Sequence, residues 1–309
     1  MQAIALPIGD PNGIGPEIAV KAAVALAGRG PRILLVGDPF VIDSYAQRFA
    51  KDVPLDVAPV DALPREAFSP GQVNPAAGHA TIRYVEAAFD LTRAGTTGCI
   101  VAAPHNQTAV SAAGIPFSGY PSLISRLAGV PDDHVFLMLV GAGFRMVHVT
   151  LHQRLHDAIA RLTPELIEAA AHACVEALAS FGIDRPRIGI FGINPHAGEA
   201  GLFGDDDERV TKPAAERLRA AGMAIEGPAG ADVLIRAGLD AFLAMYHDQG
   251  HIPIKLLAGN SSSAFSIGTG LLFASVGHGS AFDIAGKGIA DPDALIRTLR
   301  MVSAADAAA

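Results

Sequence analysis

Short apolar segments alternate with polar loops and helical stretches along the chain, and this order restricts the folds it can adopt. Residues 4–8 predict a buried strand, the polar loop 9–17 follows, and an alanine-rich helix continues to Leu26. Pro16 suits the first turn of that helix, and Glu17 complements the positive end of its dipole. Repeated units of strand, loop and helix are typical of an α/β fold.

The loop 9–17 does not carry a dinucleotide-binding fingerprint. It contains Gly13 and Gly15, but the third glycine is absent and Pro16 stands where a Rossmann helix would begin differently. We therefore predict no Rossmann nucleotide site in this segment, and the sequence leaves the nucleotide-binding residues unassigned.

Length and composition limit the classes of function. The 309 residues suggest two domains, or one large α/β unit with a cleft. Half of the residues are hydrophobic, 17% are charged and the net charge is -8, so no broad basic face is expected for nucleic acid or a membrane surface. We expect small molecules or other subunits as partners.

Cysteine usage and the N-terminal residues indicate a cytoplasmic protein. Cys99 and Cys174 are the only cysteines, and their apolar or helical surroundings predict small core residues rather than a disulfide or a thiolate metal site. The first residues lack the basic and long apolar regions of a signal peptide. The sequence contains no uninterrupted run of about eighteen apolar residues, so we predict no membrane span.

A polar cluster follows one predicted strand directly. The apolar run 241–244 leads into residues 245–251, where imidazole, carboxylate and amide groups follow one another. In open α/β folds the carboxyl ends of the strands line the ligand crevice. A strand-end turn whose side chains satisfy backbone groups explains the same residues without a ligand.

Three histidines, His152, His196 and His247, each follow an apolar, strand-like run. If the fold brings them to one rim, three imidazoles leave room on a divalent metal for a substrate oxygen and water. Their spacing matches no short metal motif such as HExxH, so unconnected strand-end histidines are the alternative. Two further groups of histidines are distinguished by their surroundings. His105, His251 and His278 are candidate substrate contacts or satisfied loop residues, and we predict surface or helix positions for His79, His134, His156 and His172.

Several local elements are predicted with specific bounds. Residues 135–140 and 145–149 predict paired strands joined by a glycine-containing turn. Thr163 predicts the cap of a long helix that reaches Phe181. Three further predictions are a loop at 227–232, an extended segment at 255–257 and a helix that begins at Ala281.

Four segments resemble those of the 4-hydroxythreonine-4-phosphate dehydrogenase (PdxA) family of pyridoxal phosphate biosynthesis. They are 9–17, 194–199, 245–250 and 275–279, and they occur in order along essentially the whole chain. The resemblance implies a fold like isocitrate and isopropylmalate dehydrogenases, with two α/β/α domains and the active site in the cleft. We predict one domain from 1–118 plus 275–309 and the other from 119–274.

The resemblance also implies cofactors and an assembly. It implies NAD or NADP, a divalent metal (zinc, magnesium, manganese or cobalt), and a homodimer whose active site draws on both subunits. The family's metal ligands fall on His152, His196 and His247, its active-site aspartates on Asp232 and Asp248, and its substrate-binding lysine on Lys255. We interpret Asp232, Asp248 and Lys255 as the catalytic residues.

The groups that handle phosphate in this family do not carry over. Tyr120-Pro121 stands where the vitamin-pathway enzymes have a His-Thr pair, Ala264 replaces their asparagine and Phe273 their arginine. A phosphate dianion needs several donors and compensating charge, so apolar replacements disfavour a phosphorylated substrate.

Three other segments, 117–123, 136–143 and 250–257, resemble the branch of the family typified by terephthalate dihydrodiol dehydrogenase. That enzyme type oxidises a cis-dihydrodiol carboxylate and releases carbon dioxide as the ring becomes aromatic. The arginine expected near 269–271 in its carboxylate pocket is missing here. The candidates for substrate binding are His105, Tyr120, Ser122, His251 and Lys255.

The sequence thus supports three competing functions. The first is an NAD(P)- and metal-dependent dehydrogenase that oxidises a secondary alcohol with coupled decarboxylation. The second is the phosphate-substrate enzyme of vitamin synthesis, and the third is a non-catalytic binding protein of the same fold. Retention of the three histidines with Asp248 and Lys255 speaks against the third.

Overall fold

The computed structural model describes residues 2–259 and 262–303, and the described chain is an α/β protein. The strands are β1 (Ala3–Pro7), β2 (Ile33–Gly37), β3 (Asp56–Pro59), β4 (Thr97–Ala102), β5 (Phe136–Gly141), β6 (Phe144–His148), β7 (Arg187–Phe191), β8 (Ala224–Ala229), β9 (Ala241–Ala244), β10 (Ser263–Ile267) and β11 (Phe273–Val276). The helices are α1 (Gly15–Leu26), α2 (Pro39–Phe49), α3 (Pro75–Arg93), α4 (Gln107–Ala112), α5 (Tyr120–Ala128), α6 (Leu155–Arg161), α7 (Pro164–Ser180), α8 (Lys212–Ala220), α9 (Ala231–Leu234), α10 (His247–Ala258) and α11 (Asp293–Val302).

The chain divides into two compact units. Unit 1 comprises Met1–Leu123 and Leu271–Ala309, and unit 2 comprises Ile124–Gly270. Each unit contains its own run of hydrogen-bonded strands with helices around it.

Unit 1 is built on parallel strands in the order β3-β2-β1-β4-β11. All five residues of β1 are buried, as expected for a central parallel strand covered on both faces. From β1 the chain proceeds to β2 and β3 on one side and then to β4 and β11 on the other. The loops that follow β1 and β4 therefore flank the point where the strand order reverses.

The loop after β1 is held to the rest of unit 1 by its polar side chains. Gly9 has a φ of +74°, and a Cβ there would collide with the Pro104 carbonyl. Asn12 donates from Nδ2 to the carbonyls of Ala67 (3.1 Å) and Gln72 (3.2 Å), and its Oδ1 accepts from the Ser69 N–H (2.8 Å). These contacts give the polar loop a structural purpose.

Glu17 is fully buried at the start of α1. Its carboxylate accepts from Lys21 Nζ (2.7 Å) and from the backbone N–H groups of Gly288 (3.0 Å) and Ala290 (2.9 Å). The side chain thus fixes the segment before α11 to α1, in addition to lying at the positive end of the helix dipole.

Unit 2 contains the strand order β10-β5-β6-β9-β7-β8. β5 pairs antiparallel with β6 and with β10, which confirms the predicted strand pair at 135–149. The pairs β6–β9, β9–β7 and β7–β8 are parallel. Its core includes Phe191 stacked on Phe242, with 5.6 Å between ring centroids, and the buried Met146 and Ile254. Thr163 caps α7 as predicted, because its hydroxyl accepts from the Leu166 N–H.

The extended segment predicted at 255–257 is wrong, since these residues continue α10. Pro253 lies inside that helix and removes one backbone hydrogen bond. Gly250 and Ile254 are both buried on the helix face that packs on β5 and β6, and this packing outweighs the lost bond.

Three other local predictions differ from the structure. The loop predicted at 227–232 is in part β8, which pairs with β7, and strands β10 and β11 were not predicted. No helix begins at Ala281: residues 281–290 form turns. Gly286 and Gly288 in this segment have positive φ values of 76° and 78°, which a right-handed helix does not allow. The N–H groups of Gly288 and Ala290 bind the Glu17 carboxylate instead of helix carbonyls.

The cysteine prediction is confirmed, since Cys99 and Cys174 are free and buried. Within residues 2–259 and 262–303, no helix combines the length and apolar character needed to cross a membrane.

Candidate active site

Three neighbouring parallel strands of unit 2 end in polar segments. In the order β6-β9-β7, their carboxyl ends lead into residues 149–153, 245–251 and 192–199. The predicted metal ligands lie one in each of these segments. Since the carboxyl ends of parallel strands share one edge of a sheet, this edge is the candidate site.

His152 and His247 are brought together at this edge, with 5.3 Å between their ring centroids. They line a cavity of about 350 Å³ whose other residues are Leu151, Gln153, Leu155, Ala158, Tyr246 and Asp248. The Thr150 hydroxyl donates to the Met245 carbonyl (2.7 Å), which ties the two segments together behind the cavity. Two of the three predicted metal ligands are thus adjacent.

Asp248 orients His247. Its Oδ1 lies 2.7 Å from His247 Nδ1, and because a carboxylate only accepts, the ring carries its hydrogen on Nδ1. Nε2 is then the nitrogen with a free lone pair. This carboxylate–histidine arrangement is the one commonly found behind metal-binding imidazoles.

Gln249 fixes the start of α10 from the other side. Its side chain accepts from the Met245 N–H (2.7 Å) and donates to the Gly192 carbonyl (2.8 Å). The residues after β9 and β7 are therefore joined by one amide, which explains the position of the glutamine within the polar cluster.

His196 does not join the other two histidines. Its ring hydrogen-bonds Glu199 through Nδ1 (2.8 Å) and contacts the edge of Phe203, and its side chain is 67% exposed. Within the described chain, no three histidine, cysteine, aspartate or glutamate side chains are grouped closely enough to hold a metal ion. A single chain therefore presents two of the predicted ligands together and the third elsewhere.

The segment that carries His196 is a left-handed turn. Residues 196–200 all have positive φ, between 44° and 82°, and four of the five are not glycine. Such a conformation costs roughly 1–2 kcal/mol per L-residue. Buried Asp207 supports the turn, since its carboxylate accepts from the N–H groups of Ile193 (2.8 Å) and Asn194 (2.9 Å) and from the Thr211 hydroxyl (2.7 Å).

Three candidates share one face of α10. His247, His251 and Lys255 are spaced four residues apart, so the helix that replaces the predicted extended segment aligns them along one side. The rings of His247 and His251 are stacked, with centroids 3.7 Å apart and an interplanar angle of 13°. Lys255 donates to the Ser262 hydroxyl (3.2 Å), and burial lowers the pKa of its ammonium group.

Asp232 lies in the first turn of α9 and is exposed. Its Oδ1 and the His196 backbone both lie close to Gly230, within 4 Å of where a Cβ would stand. Asp232 thus belongs to the surroundings of His196, whereas Asp248 belongs to those of His247.

The sequence interpretation missed His148, the last residue of β6. It is fully buried, and its Nε2 lies 2.9 Å from Nδ1 of His251. The centroids of these two rings are 4.4 Å apart. The last three residues of the strand 144–148 are buried, and the contact spans 103 residues of sequence, so no local pattern pointed to it.

The other substrate-binding candidates lie in unit 1. His105 contacts the edges of the Phe117 (4.8 Å) and Tyr120 (4.5 Å) rings, and burial lowers the pKa of its imidazole to about 4. Tyr120 is 5% exposed, donates its hydroxyl to the Ala103 carbonyl (3.0 Å) and packs on Phe273 (4.8 Å).

The Ser122 hydroxyl forms hydrogen bonds with the backbone of neighbouring residues. It donates to the Gly119 carbonyl (2.9 Å) and accepts from the Ser118 N–H (3.3 Å). His278, the remaining loop candidate, is half-buried, and its Nδ1 lies 3.1 Å from the Gly279 carbonyl oxygen.

The chain is similar to known proteins along almost its whole length. The family model described as pyridoxal phosphate biosynthetic protein PdxA matches residues 29–302. The 1,2-dihydroxy-3,5-cyclohexadiene-1,4-dicarboxylate dehydrogenase of Comamonas sp. is 46% identical over 97% of both chains. The D-threonate 4-phosphate dehydrogenase of Cupriavidus necator is 40% identical over 96% of this chain and 95% of its own.

Solved structures give the same family. The terephthalate 1,2-cis-dihydrodiol dehydrogenase of Burkholderia xenovorans is 50% identical, with a TM-score of 0.79 and 98% of both chains covered. A β-decarboxylating dehydrogenase of Thermococcus kodakarensis shares the fold alone, with a TM-score of 0.53 at 18% identity over 97% of this chain and 82% of its own. These likenesses confirm the predicted fold class and family, and the chain belongs to the PdxA family of dehydrogenases.

Proposed function

We propose that the protein is an NAD(P)- and divalent-metal-dependent dehydrogenase that oxidises a cis-dihydrodiol carboxylate and releases carbon dioxide. The observation that carries this proposal is the packing of Tyr120 and Phe273. The resemblance puts phosphate-handling groups at both positions, but here the Tyr120 hydroxyl binds Ala103 and Phe273 is 1% exposed. Neither side chain offers a donor to a phosphate dianion, which needs several.

Similarity supports the same substrate class. The Comamonas relative is named for a cyclohexadiene diol that carries two carboxylates, and it is 46% identical. The phosphate-substrate alternative keeps some support, because the Cupriavidus relative is 40% identical.

The donor set fits a divalent metal such as zinc. His247 and His196 each donate Nδ1–H to a carboxylate, Asp248 and Glu199 respectively, which leaves both Nε2 atoms as ligands. His152 and His247 would hold the metal at the cavity, and a bound metal would supply Lewis-acid polarisation of a hydroxyl or carbonyl oxygen.

The proposed metal site needs a second copy of the chain. Since His196 stands apart from His152 and His247 in one chain, a homodimer with a shared site supplies the third ligand. Large apolar side chains are exposed beside the site segments, which favours a covering subunit: Leu202, Phe203, Val233, Ile252, Leu256 and Leu257.

The chain's own residues have distinct roles in the proposed reaction. Lys255 pairs with a substrate carboxylate, and its lowered pKa also allows it to pass on a proton. Asp248 holds the His247 ring, and Asp232 and Asp248, both exposed, pass the hydroxyl proton to water.

The proposed chemistry balances with one oxidant. A hydride goes from the alcohol carbon to NAD(P)+ and the hydroxyl proton leaves, which gives a ketone β to a carboxylate. The carbon–carboxylate bond then breaks, carbon dioxide departs, and the electron pair of that bond forms a double bond in the ring. The former ketone oxygen takes up a proton from water, and the ring becomes aromatic. A phenolic product and one reduced nicotinamide per carbon dioxide are expected.

A paired assay tests the proposal. We expect NAD(P) reduction with a cis-dihydrodiol dicarboxylate, together with equimolar carbon dioxide, and little reduction with D-threonate 4-phosphate or 4-hydroxythreonine 4-phosphate. Efficient turnover of either phosphate, without turnover of the diol, would replace the proposal with the phosphate-substrate alternative.

A further inference from the structure

His148 makes two hydrogen bonds from a fully buried position. Its Nδ1 lies 3.1 Å from the Leu137 carbonyl oxygen on the neighbouring strand β5, and its Nε2 lies 2.9 Å from His251 Nδ1. Neither partner is a carboxylate. An imidazolium buried without a counter-ion is unfavourable, so His148 is neutral in the fold.

These contacts fix where the hydrogens are. A carbonyl oxygen only accepts, so the single ring hydrogen of His148 is on Nδ1 and points to Leu137. Nε2 of His148 is then an acceptor, and His251 must donate from its own Nδ1. A neutral His251 ring therefore carries its single hydrogen on Nδ1.

The Nε2 atom of His251 therefore carries no hydrogen, and its lone pair can accept a hydrogen bond. The ring lies flat against His247, whose own imidazole lines the cavity, at 3.7 Å between centroids. An acceptor nitrogen thus stands directly beside the histidine that faces the substrate cavity.

Gly250 allows this arrangement. It is buried in α10 between the two histidines of the helix, and a Cβ there would collide with Nε2 of His148 and with the Met146 side chain. Only glycine lets the His148 ring approach the helix closely enough to reach His251.

We propose that His148 is a positioning residue that holds His251 with its hydrogen on Nδ1, so that Nε2 of His251 accepts a hydrogen bond from a substrate hydroxyl. A neutral acceptor favours an O–H group and disfavours carboxylate or phosphate oxygens, which themselves only accept. The inference rests on the proposed function, in which the vicinal diol has a second hydroxyl beside the one that is oxidised. Nε2 of His251 then accepts a hydrogen bond from that second hydroxyl.

The first test is spectroscopic and needs no substrate. Long-range ¹H–¹⁵N spectra of histidine-labelled, metal-free protein at pH 7.5 should show His251 as the Nδ1–H tautomer, with its signals assigned by their loss in His251→Leu. In His148→Leu we expect the pattern to shift toward Nε2–H. In His148→Gln the amide oxygen keeps an acceptor, and in the matched control His172→Leu, at an exposed helix position, the pattern should not change.

The second test is kinetic and separates positioning from general damage. We expect His148→Leu to lower kcat/KM for the diol roughly tenfold, as is usual when the partner that orients a site histidine is removed. The double variant with His251→Leu should lose no more than His251→Leu alone, because His148 acts through His251. His148→Gln should recover much of the activity.

The outcomes distinguish this inference from the proposed function. An Nε2–H tautomer in the unaltered protein, an unchanged tautomer in His148→Leu, or additive losses in the double variant would each overturn the role of His148. If no diol is turned over, the proposed function fails, and the tautomer spectra still decide whether His148 orients His251.

Discussion

Polar residues follow the strands of both units, yet they serve different purposes in each. In unit 1 the loop after β1 uses Asn12 and Glu17 to bind backbone and a lysine of the same unit. In unit 2 the segments after β6 and β9 bring His152 and His247 together around a cavity. A polar cluster at a strand end therefore indicates a functional site only when its side-chain nitrogen or oxygen atoms face a cavity where a ligand can bind. Side chains whose polar atoms bind the protein's own backbone have a structural role.

The largest effect is expected from His247→Ala. Loss of an imidazole beside His152 should lower NAD(P) reduction by roughly a thousandfold, since metal assistance is worth several kcal/mol in catalysis. The far-ultraviolet circular dichroism should stay unchanged because His247 is at the helix start and partly exposed. Residual activity within tenfold of that of the unaltered protein would contradict the placement of the functional site at this strand end.

Glu17→Ala should destabilise unit 1 instead. Removing the carboxylate leaves Lys21 and the Gly288 and Ala290 N–H groups without their partner, and breaking a buried pair costs about 3–5 kcal/mol. We expect a lower midpoint in denaturant and, for the folded protein, unchanged kcat/KM. Normal stability with lost turnover would show that this loop is functional, which would break the contrast between the units.

Asp10→Asn tests the same loop through pH. Asp10 is buried, one oxygen accepts from the Asn12 N–H (2.9 Å), and the other has no hydrogen-bond partner in the part of the chain that the structure describes. Burial raises its pKa to about 6 from 3.8. The folded protein therefore holds this proton more tightly than the unfolded chain, so the group favours folding below pH 3.8 and loses that contribution as pH rises through 6.

Replacing Asp10 by Asn should consequently stabilise the protein at pH 7.5 by about 3 kcal/mol, and by much less at pH 4. Thermal unfolding at the two pH values measures this difference. Equal stabilisation at both, or a loss of turnover at pH 7.5, would mean that the ionised carboxylate has a partner in the working enzyme.

The smallest effect is expected from Tyr120→Phe. The variant loses one hydrogen bond to the Ala103 carbonyl, which is worth about 1 kcal/mol of unfolding free energy, and keeps the ring contacts with His105 and Phe273. We expect KM for the diol to stay within twofold. A tenfold rise in KM would instead place the Tyr120 hydroxyl on the substrate.

The sequence identified elements whose signals are local. The pair β5 and β6 and the cap of α7 were predicted because alternation, turn residues and Thr163 act over a few positions. Residues 255–257 were predicted as an extended segment, but they continue α10. The packing of Gly250 and Ile254 on distant strands stabilises this helix past Pro253.

The same distinction holds at the candidate site. His152 and His247 stood out because each follows an apolar run, and the structure places them together. His148 is hidden inside such a run, and only the fold brings it to His251. The separate position of His196 was equally inaccessible, because it depends on a left-handed turn supported by Asp207 from the next segment.

The most direct test of the central claim is NAD(P) reduction with a cis-dihydrodiol dicarboxylate before and after metal removal. We expect protein freed of metal by a chelator to be inactive, and activity to return when one divalent ion per chain is added back to the unaltered protein but not to His152→Ala. Full turnover by the metal-free protein would contradict the assignment of the strand-end histidines in unit 2 as a metal-dependent active site.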